Sequence, residues 1–233
     1  RGMFATTGCN AGEFWIPPHA QGRYMGNEDQ EFCTVYNMVR TAEYLYRWTG
    51  EARYADYIER ALYNGFLAQQ NRATGMPTYF LPMHAGSRKK WGSRTRDFWC
   101  CFGTMVQAQT IYPRLIWYTE ENGITVSQYI PSEMETEAAG GTIRVTQQIH
   151  MKNYNNQVLF DEHSGGRVTR WSLMFRICSE TDTPWSLKLR VPSWCAGKPV
   201  LALNGKELPE VEIRDGYIRI RRTWSEDELE VFF

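Results

Sequence analysis

The sequence predicts an α + β multidomain chain in which a short series of helices is followed by an antiparallel β-sandwich. Two patterns and a composition carry this. Between residues 28 and 70, apolar side chains return at three- and four-residue steps, as on one face of a helix. After Asn122-Gly123 they return in short alternating runs, as on strands. With 42% hydrophobic residues, 9 Trp, 13 Tyr and 11 Phe among 233 residues, the chain can bury a sizeable core.

The first helix is read from Val35, Met38, Val39, Ala42, Leu45 and Tyr46, the second from Tyr54, Tyr57, Ile58, Ala61, Leu62 and Phe66. Thr49-Gly50 is the hinge: glycine ends a helix in the left-handed region, and acidic Glu51 suits the start of the next. The pair forms an αα-hairpin. Residues 71 to 98 contain Pro77, Pro82, Gly75, Gly86 and Gly92 and no sustained period, so they read as a long loop with one short strand at residues 78 to 81. Its basic residues Arg88, Lys89, Lys90, Arg94 and Arg96 read as a solvated face, with Trp91 the only aromatic among them. A third helix is expected from Gly103-Thr104 through Tyr112 toward Trp117, with Pro113 as a kink or stop. Strands follow at residues 124–129, 142–149, 171–177, 187–191, 200–203, 217–220 and 229–233, and Asn204-Gly205 between two of them is a hairpin signal.

Lys+Arg and Asp+Glu each number 26, so no net field favours nucleic acid or an anionic membrane as partner. No run approaches the about 18 apolar residues that cross a bilayer. Arg1-Gly2-Met3-Phe4 lacks a signal-peptide layout, which leaves the compartment, cytoplasmic or periplasmic, open. The start without an initiator Met and the strand-like Glu230-Val231-Phe232-Phe233 at the other end lead us to expect a piece of a longer protein.

Six cysteines, Cys9, Cys33, Cys100, Cys101, Cys178 and Cys195, are too sparse for a disulfide scaffold. Thiols kept for metal or catalysis fit better and lean toward a reducing compartment. Glu31, Cys33, Cys100 and Cys101 together offer one carboxylate and three thiolates, the four donors of a tetrahedral zinc site. Side chains at i and i+2 diverge on a regular helix, so Glu31 and Cys33 converge only at a helix start or in a distorted turn. The competing reading makes Cys33, Cys100 and Cys101 buried small hydrophobes beside aromatic neighbours. Cys9, Cys178 and Cys195 have no partner at suggestive spacing and are assigned to packing. His19, His84, His150 and His163 form no ligand pattern.

Glu31-Phe32-Cys33-Thr34, Trp48-Thr49-Gly50-Glu51-Ala52-Arg53-Tyr54-Ala55-Asp56, Glu59-Arg60-Ala61-Leu62-Tyr63-Asn64 and Cys100-Cys101 resemble glycoside hydrolase family 127, the β-L-arabinofuranosidases and their relatives. Val191-Pro192-Ser193-Trp194, Leu203-Asn204-Gly205 and Gly216-Tyr217 are similar to that family's β-sandwich. The resemblance implies a partial (α/α)6 barrel followed by an antiparallel β-sandwich. It makes residues 1–120 the C-terminal part of the catalytic barrel and 121–233 the sandwich. It also implies a retaining glycosidase that releases a terminal arabinofuranosyl-type sugar through a zinc-bound cysteine. Glu31, Cys33 and Cys101 match the zinc ligands, and Cys100 matches the residue that is both ligand and nucleophile. Glu13 matches the general acid/base, and Tyr79 a tyrosine that helps form the substrate site. The histidines that line the family's sugar pocket lie upstream of Arg1.

The cofactor so implied is Zn2+ and the partner a carbohydrate, with no nucleic acid and no membrane; a homodimer is left open. Two other functions compete. One is a non-catalytic carbohydrate-binding or scaffolding protein with a structural zinc, supported by Trp171, Trp185, Trp194 and Trp224 in the β half. The other is a glycosidase in which Glu13 works with Glu28 or Asp29 and the cysteines are bystanders.

Overall fold

A computed structural model describes residues 27, 30–82, 84–150 and 171–233. The chain divides into two compact units, Arg1–Tyr112 and Pro113–Phe233.

In the first unit, strand β1 (Gln30–Glu31) runs directly into helix α1 (Phe32–Thr49). Val35, Val39, Ala42 and Tyr46 are buried along one face of α1, as the three- and four-residue spacing requires. Gly50 ends the helix at φ 68° and returns its N–H to Tyr46 O at 2.7 Å. Helix α2 (Ala52–Ala61) starts after an extended Glu51 and buries Ala55, Ile58 and Ala61. It continues into a π-helical turn at Leu62–Phe66, where α1 comes close: a Cβ on Gly65 would lie 2.6 Å from Val35 Cγ1. The turn delivers Phe66 onto Phe32, with ring centroids 5.1 Å apart. The loop expected at 71–98 holds strand β2 (Phe80–Leu81) and the isolated bridges Gln70↔Pro77 and Thr78↔Trp91.

Helix α3 (Cys100–Ala108) starts three residues before the expected Gly103, because Trp99 takes the extended conformation of an N-cap (φ −66°, ψ 161°). It also ends early, at Ala108. Pro113 stops nothing: it sits in the first turn of a separate short helix α4 (Tyr112–Ile116), where its missing N–H is tolerated.

The second unit is built from two sheets. The strands are β3 (Trp117–Glu120), β4 (Gly123–Val126), β5 (Ser132–Ala138), β6 (Gly141–His150), β7 (Ser172–Ser179) and β8 (Trp185–Arg190), then β9 (Val200–Leu203), β10 (Lys206–Glu207), β11 (Ile213–Arg214), β12 (Tyr217–Arg222) and β13 (Glu226–Phe232). The first sheet has strand order β10-β9-β13-β7-β6-β5, the second β11-β12-β8-β4-β3. Ile143, Val145, Phe175, Leu229 and Val231 of the first sheet share one buried cluster with Ile124, Val126, Leu187, Leu189 and Ile218 of the second. The unit is therefore a sandwich.

One pairing departs from the antiparallel expectation. β4 and β8 are parallel, since between them the chain passes through the opposite sheet and re-enters in the same direction. Asn204 (φ 51°) and Gly205 (φ 75°) form the expected two-residue hairpin between β9 and β10. Trp185 and Trp224 pack 5.5 Å apart in the core, whereas Trp194 is exposed. Cys178 is not packed as expected: it stands exposed on the outer face of β7, and Cys195 is half-buried. His84 is exposed and His150 half-buried; His19, His163 and Cys9 lie outside the described residues. No helix among the described residues is long and apolar enough to cross a membrane.

Where β4 meets β8, a Cβ on Gly123 would press into the backbone carbonyl of Ser186. Gly123→Ala is expected to destabilise the sandwich by about 1–3 kcal/mol through overpacking. Urea unfolding followed by tryptophan fluorescence checks this.

Candidate metal centre

Glu31 and Cys33 are two residues apart, and their convergence depends on a change of secondary structure between them. Glu31 closes β1 with an extended backbone (φ −73°, ψ 132°) and is the N-cap of α1, while Cys33 already lies in that helix's first turn. Of the two geometries the spacing allows, a helix start and a distorted turn, this is the helix start. Cys100 and Cys101 open α3 in the same way. The amino ends of two helices thus bring three sulfurs and a carboxylate to one place, where the ligand atoms of Glu31, Cys33, Cys100 and Cys101 all lie within 4.8 Å of one another.

A short two-stranded clamp holds the junction. Glu31 pairs with Phe80 and Gln30 with Leu81, and Phe32 N donates to Tyr79 O at 3.3 Å. Beneath them the buried amide of Gln69 donates to the carbonyls of Gln30 (3.3 Å), Thr78 (3.3 Å) and Tyr79 (3.0 Å). This clamp directs the Tyr79 side chain into the cluster. Its hydroxyl donates to Glu31 Oε1 at 3.3 Å and lies 3.1 Å from Cys100 Sγ.

The remaining contacts are internal. Cys101 Sγ stands 3.3 Å from Cys33 Sγ and 3.6 Å from Glu31 Oε1. Cys33 N–H, one of the unpaired donors of a helix start, donates to Cys101 Sγ at 3.4 Å. Thr34 Oγ1 donates to Glu31 Oε2 at 3.3 Å. Thr104 Oγ1 donates to Cys100 O at 3.0 Å and lies 3.1 Å from Cys33 Sγ.

Burial grades across the four ligands. Glu31 and Cys101 are buried, Cys33 is half-buried and Cys100 is exposed. The thiols separate accordingly. The Tyr79 hydroxyl beside its sulfur holds Cys100 below the ordinary thiol range, whereas burial pushes Cys101 and Cys33 up. The same hydrogen bond to Cys100, together with burial, raises Tyr79.

The donor set fits a metal. Bonds of about 2.3 Å from sulfur to a tetrahedral ion give sulfur–sulfur edges of about 3.8 Å. Cys33 and Cys101 Sγ stand 3.3 Å apart and all four ligand atoms lie within 4.8 Å of one another, close enough to surround one ion. Three thiolates with one carboxylate suit a soft or borderline ion rather than calcium or magnesium, which take oxygen ligands. A metal would also discharge the energetic cost of packing three thiols and a carboxylate together.

The sequence-stated residues Glu31, Cys33, Tyr79, Cys100 and Cys101 thus meet, while Glu13, Glu28 and Asp29 lie outside the described residues. Thr34, Gln69 and Thr104 escaped sequence reasoning. Thr104 alone had a signal available, since it sits one helical turn after Cys100.

The beta-L-arabinofuranosidase GH127 catalytic-domain family matches residues 1–114, and the GH127 middle-domain family matches residues 123–232. The chain belongs to the GH127 family. No curated protein matches it. Among solved structures, a GH127 beta-L-arabinofuranosidase from Geobacillus stearothermophilus T6 is 23% identical with a TM-score of 0.64, over 86% of this chain and 31% of that one. A GH127 beta-arabinofuranosidase is 19% identical with a TM-score of 0.65, over 88% of this chain and 33% of that one. A structure described as a glycoside hydrolase is 18% identical with a TM-score of 0.63, over 89% of this chain and 33% of that one. The chain spans about a third of the length of these structures and shares their fold.

In this GH127 chain, the Thr104 hydroxyl is placed to hold Cys33 Sγ once that sulfur is a ligand. Thr104→Val is expected to weaken metal binding by about 10- to 100-fold, and Thr104→Ser to restore it. Titration with cobalt(II), followed by its sulfur-to-metal absorption, measures both.

Proposed function

We propose that the protein is a retaining glycoside hydrolase that releases a terminal arabinofuranosyl-type sugar, with a zinc-bound Cys100 as nucleophile and Glu13 as general acid/base. The observation that carries this reading is the exposure of Cys100 in a cluster whose other ligands are covered or half-covered. A structural zinc closes all four positions, whereas a reacting sulfur must reach solvent and substrate. The same observation weighs against the alternative of a non-catalytic carbohydrate-binding protein with a structural zinc. The helices of residues 1–120 are read as the C-terminal part of an (α/α)6 barrel, and residues 121–233 as the β-sandwich that follows it.

Bound at Glu31, Cys33, Cys100 and Cys101, zinc supplies a fixed positive charge that keeps the thiols deprotonated at neutral pH. Cys100 stands at the amino end of α3, where the helix dipole also favours an anion. Its sulfur attacks the anomeric carbon as the glycosidic bond breaks, and Glu13 gives its proton to the departing oxygen. Water then attacks the same carbon from the other side. Glu13 takes a proton from that water, the carbon–sulfur bond breaks, and two inversions leave the configuration retained. The Tyr79 hydroxyl works through the cluster: bonded to Glu31 and beside Cys100, it orients the nucleophile and steadies its charge when the sulfur departs.

The test uses the natural full-length protein and an aryl β-L-arabinofuranoside. Cys100→Ala is expected to reduce turnover by at least about 10,000-fold, in line with removal of a nucleophile that acts as part of a unit. Glu13→Gln is expected to lower it by about 100- to 10,000-fold. Removing the metal with a chelator should abolish activity, and zinc should restore it. Wild-type turnover in Cys100→Ala would end the nucleophile assignment.

A further inference from the structure

Between β2 and α3 the chain concentrates Arg88, Lys89, Lys90, Arg94 and Arg96, all exposed, although its formal net charge is zero. Asp97 is the only carboxylate in residues 84 to 98. The segment is fastened along its length. Ser87 Oγ donates to Asn27 Oδ1 at 2.5 Å, and Lys89 Nζ donates to Ala68 O at 2.5 Å with its charge 5.4 Å from the centre of the Trp91 ring. Trp91 bridges Thr78, next to Tyr79, and Gly92 N donates to Pro77 O at 2.8 Å.

Gly92 also lies so close to the Phe102 ring of α3 that a Cβ there would collide with it. Beyond it, Ser93 N donates to Asp97 Oδ2 at 2.5 Å and Arg96 N to Ser93 Oγ at 3.0 Å. The turn leads through Phe98 and Trp99, which are 84% and 62% exposed, into Cys100. The segment is therefore anchored to the stretch just before Tyr79, at Pro77 and Thr78, and to the helix of Cys100.

Lys89 is engaged by Ala68 O and the Trp91 ring. Arg88, Lys90 and Arg94 have no ion-pair partner among the described residues. Like charges so near one another in sequence, on a fastened backbone, repel, and an anion relieves that repulsion without first having to order the loop. Guanidinium groups donate two parallel hydrogen bonds to a carboxylate. Nucleic acid is the weaker occupant: the one aromatic within the cationic run is already covered by Lys89.

We propose that this segment recognises a saccharide bearing carboxylate groups, a uronate-containing chain, and presents it to the centre at Cys100. This rests on the glycosidase reading and extends it from the sugar released to the chain that carries it.

The experiment uses the metal-loaded natural protein, wild type and the triple variant Arg88→Ser, Lys90→Ser, Arg94→Ser. Such exposed substitutions away from packed contacts leave the fold intact. Calorimetry measures binding of trigalacturonate and of its methyl ester, in which the carboxylates are neutral, while turnover of a neutral aryl β-L-arabinofuranoside is followed in parallel. The acid is expected to bind at least about tenfold tighter than the ester, to weaken as salt rises from about 20 to about 300 mM, and to lose at least about tenfold in the variant. Turnover of the neutral substrate should be the same in both proteins. Equal binding of acid and ester, unchanged binding in the variant, or tighter binding of a single-stranded DNA oligomer would overturn the proposal. Absence of turnover with charge-dependent binding intact would instead overturn the glycosidase reading and leave the uronate surface standing.

Discussion

The structure around the cluster depends on one constraint: two helices must begin at the same point. α1 and α3 each bring sulfur at the first or second residue, where backbone N–H groups have no intrahelical partner and the dipole is positive. That environment suits thiolates, and the donation of Cys33 N–H to Cys101 Sγ shows the free donors being used in this way. Neither helix could place its sulfurs alone. The clamp of β1 on β2, with the Gln69 amide bonded to three carbonyls behind it, fixes where α1 begins, and Trp99 fixes where α3 begins.

Burial then gives chemically similar groups different roles. Cys101 and Glu31 are covered and bonded to their neighbours, so they hold the arrangement. Cys100 reaches solvent at the edge of the same cluster, and the Tyr79 hydroxyl beside it favours the thiolate. A single tyrosine couples the covered carboxylate to the exposed sulfur. The clamp that positions Tyr79 also carries, through Thr78 and Pro77, the cationic segment leading to Cys100.

The cluster was legible because its residue types are uncommon in combination, and the rule that i and i+2 diverge on a helix limited Glu31 and Cys33 to a helix start or a distorted turn. The supporting contacts were not. Thr34, Gln69 and Thr104 are common residues whose role comes from which carbonyl or sulfur lies nearby, and Tyr79 was picked out by resemblance rather than by pattern. Strands were legible where large apolar side chains alternate, as in β6 and β7. β5 was missed because Glu133, Glu135 and Glu137 alternate with only Met134, Thr136 and Ala138. β3 was hidden in the expected helix, since its Trp117 and Tyr118 suit either element. Alternation carries no direction, so the parallel β4–β8 pair could not be read from it.

The central claim is that three sulfurs and one carboxylate bind a single ion. X-ray absorption at the zinc edge, on the natural protein loaded with one equivalent of zinc, tests it most directly. The account predicts three sulfur neighbours at about 2.3 Å and one oxygen at about 2.0–2.2 Å. A shell with two or fewer sulfurs, or one made of oxygen and nitrogen alone, would contradict it.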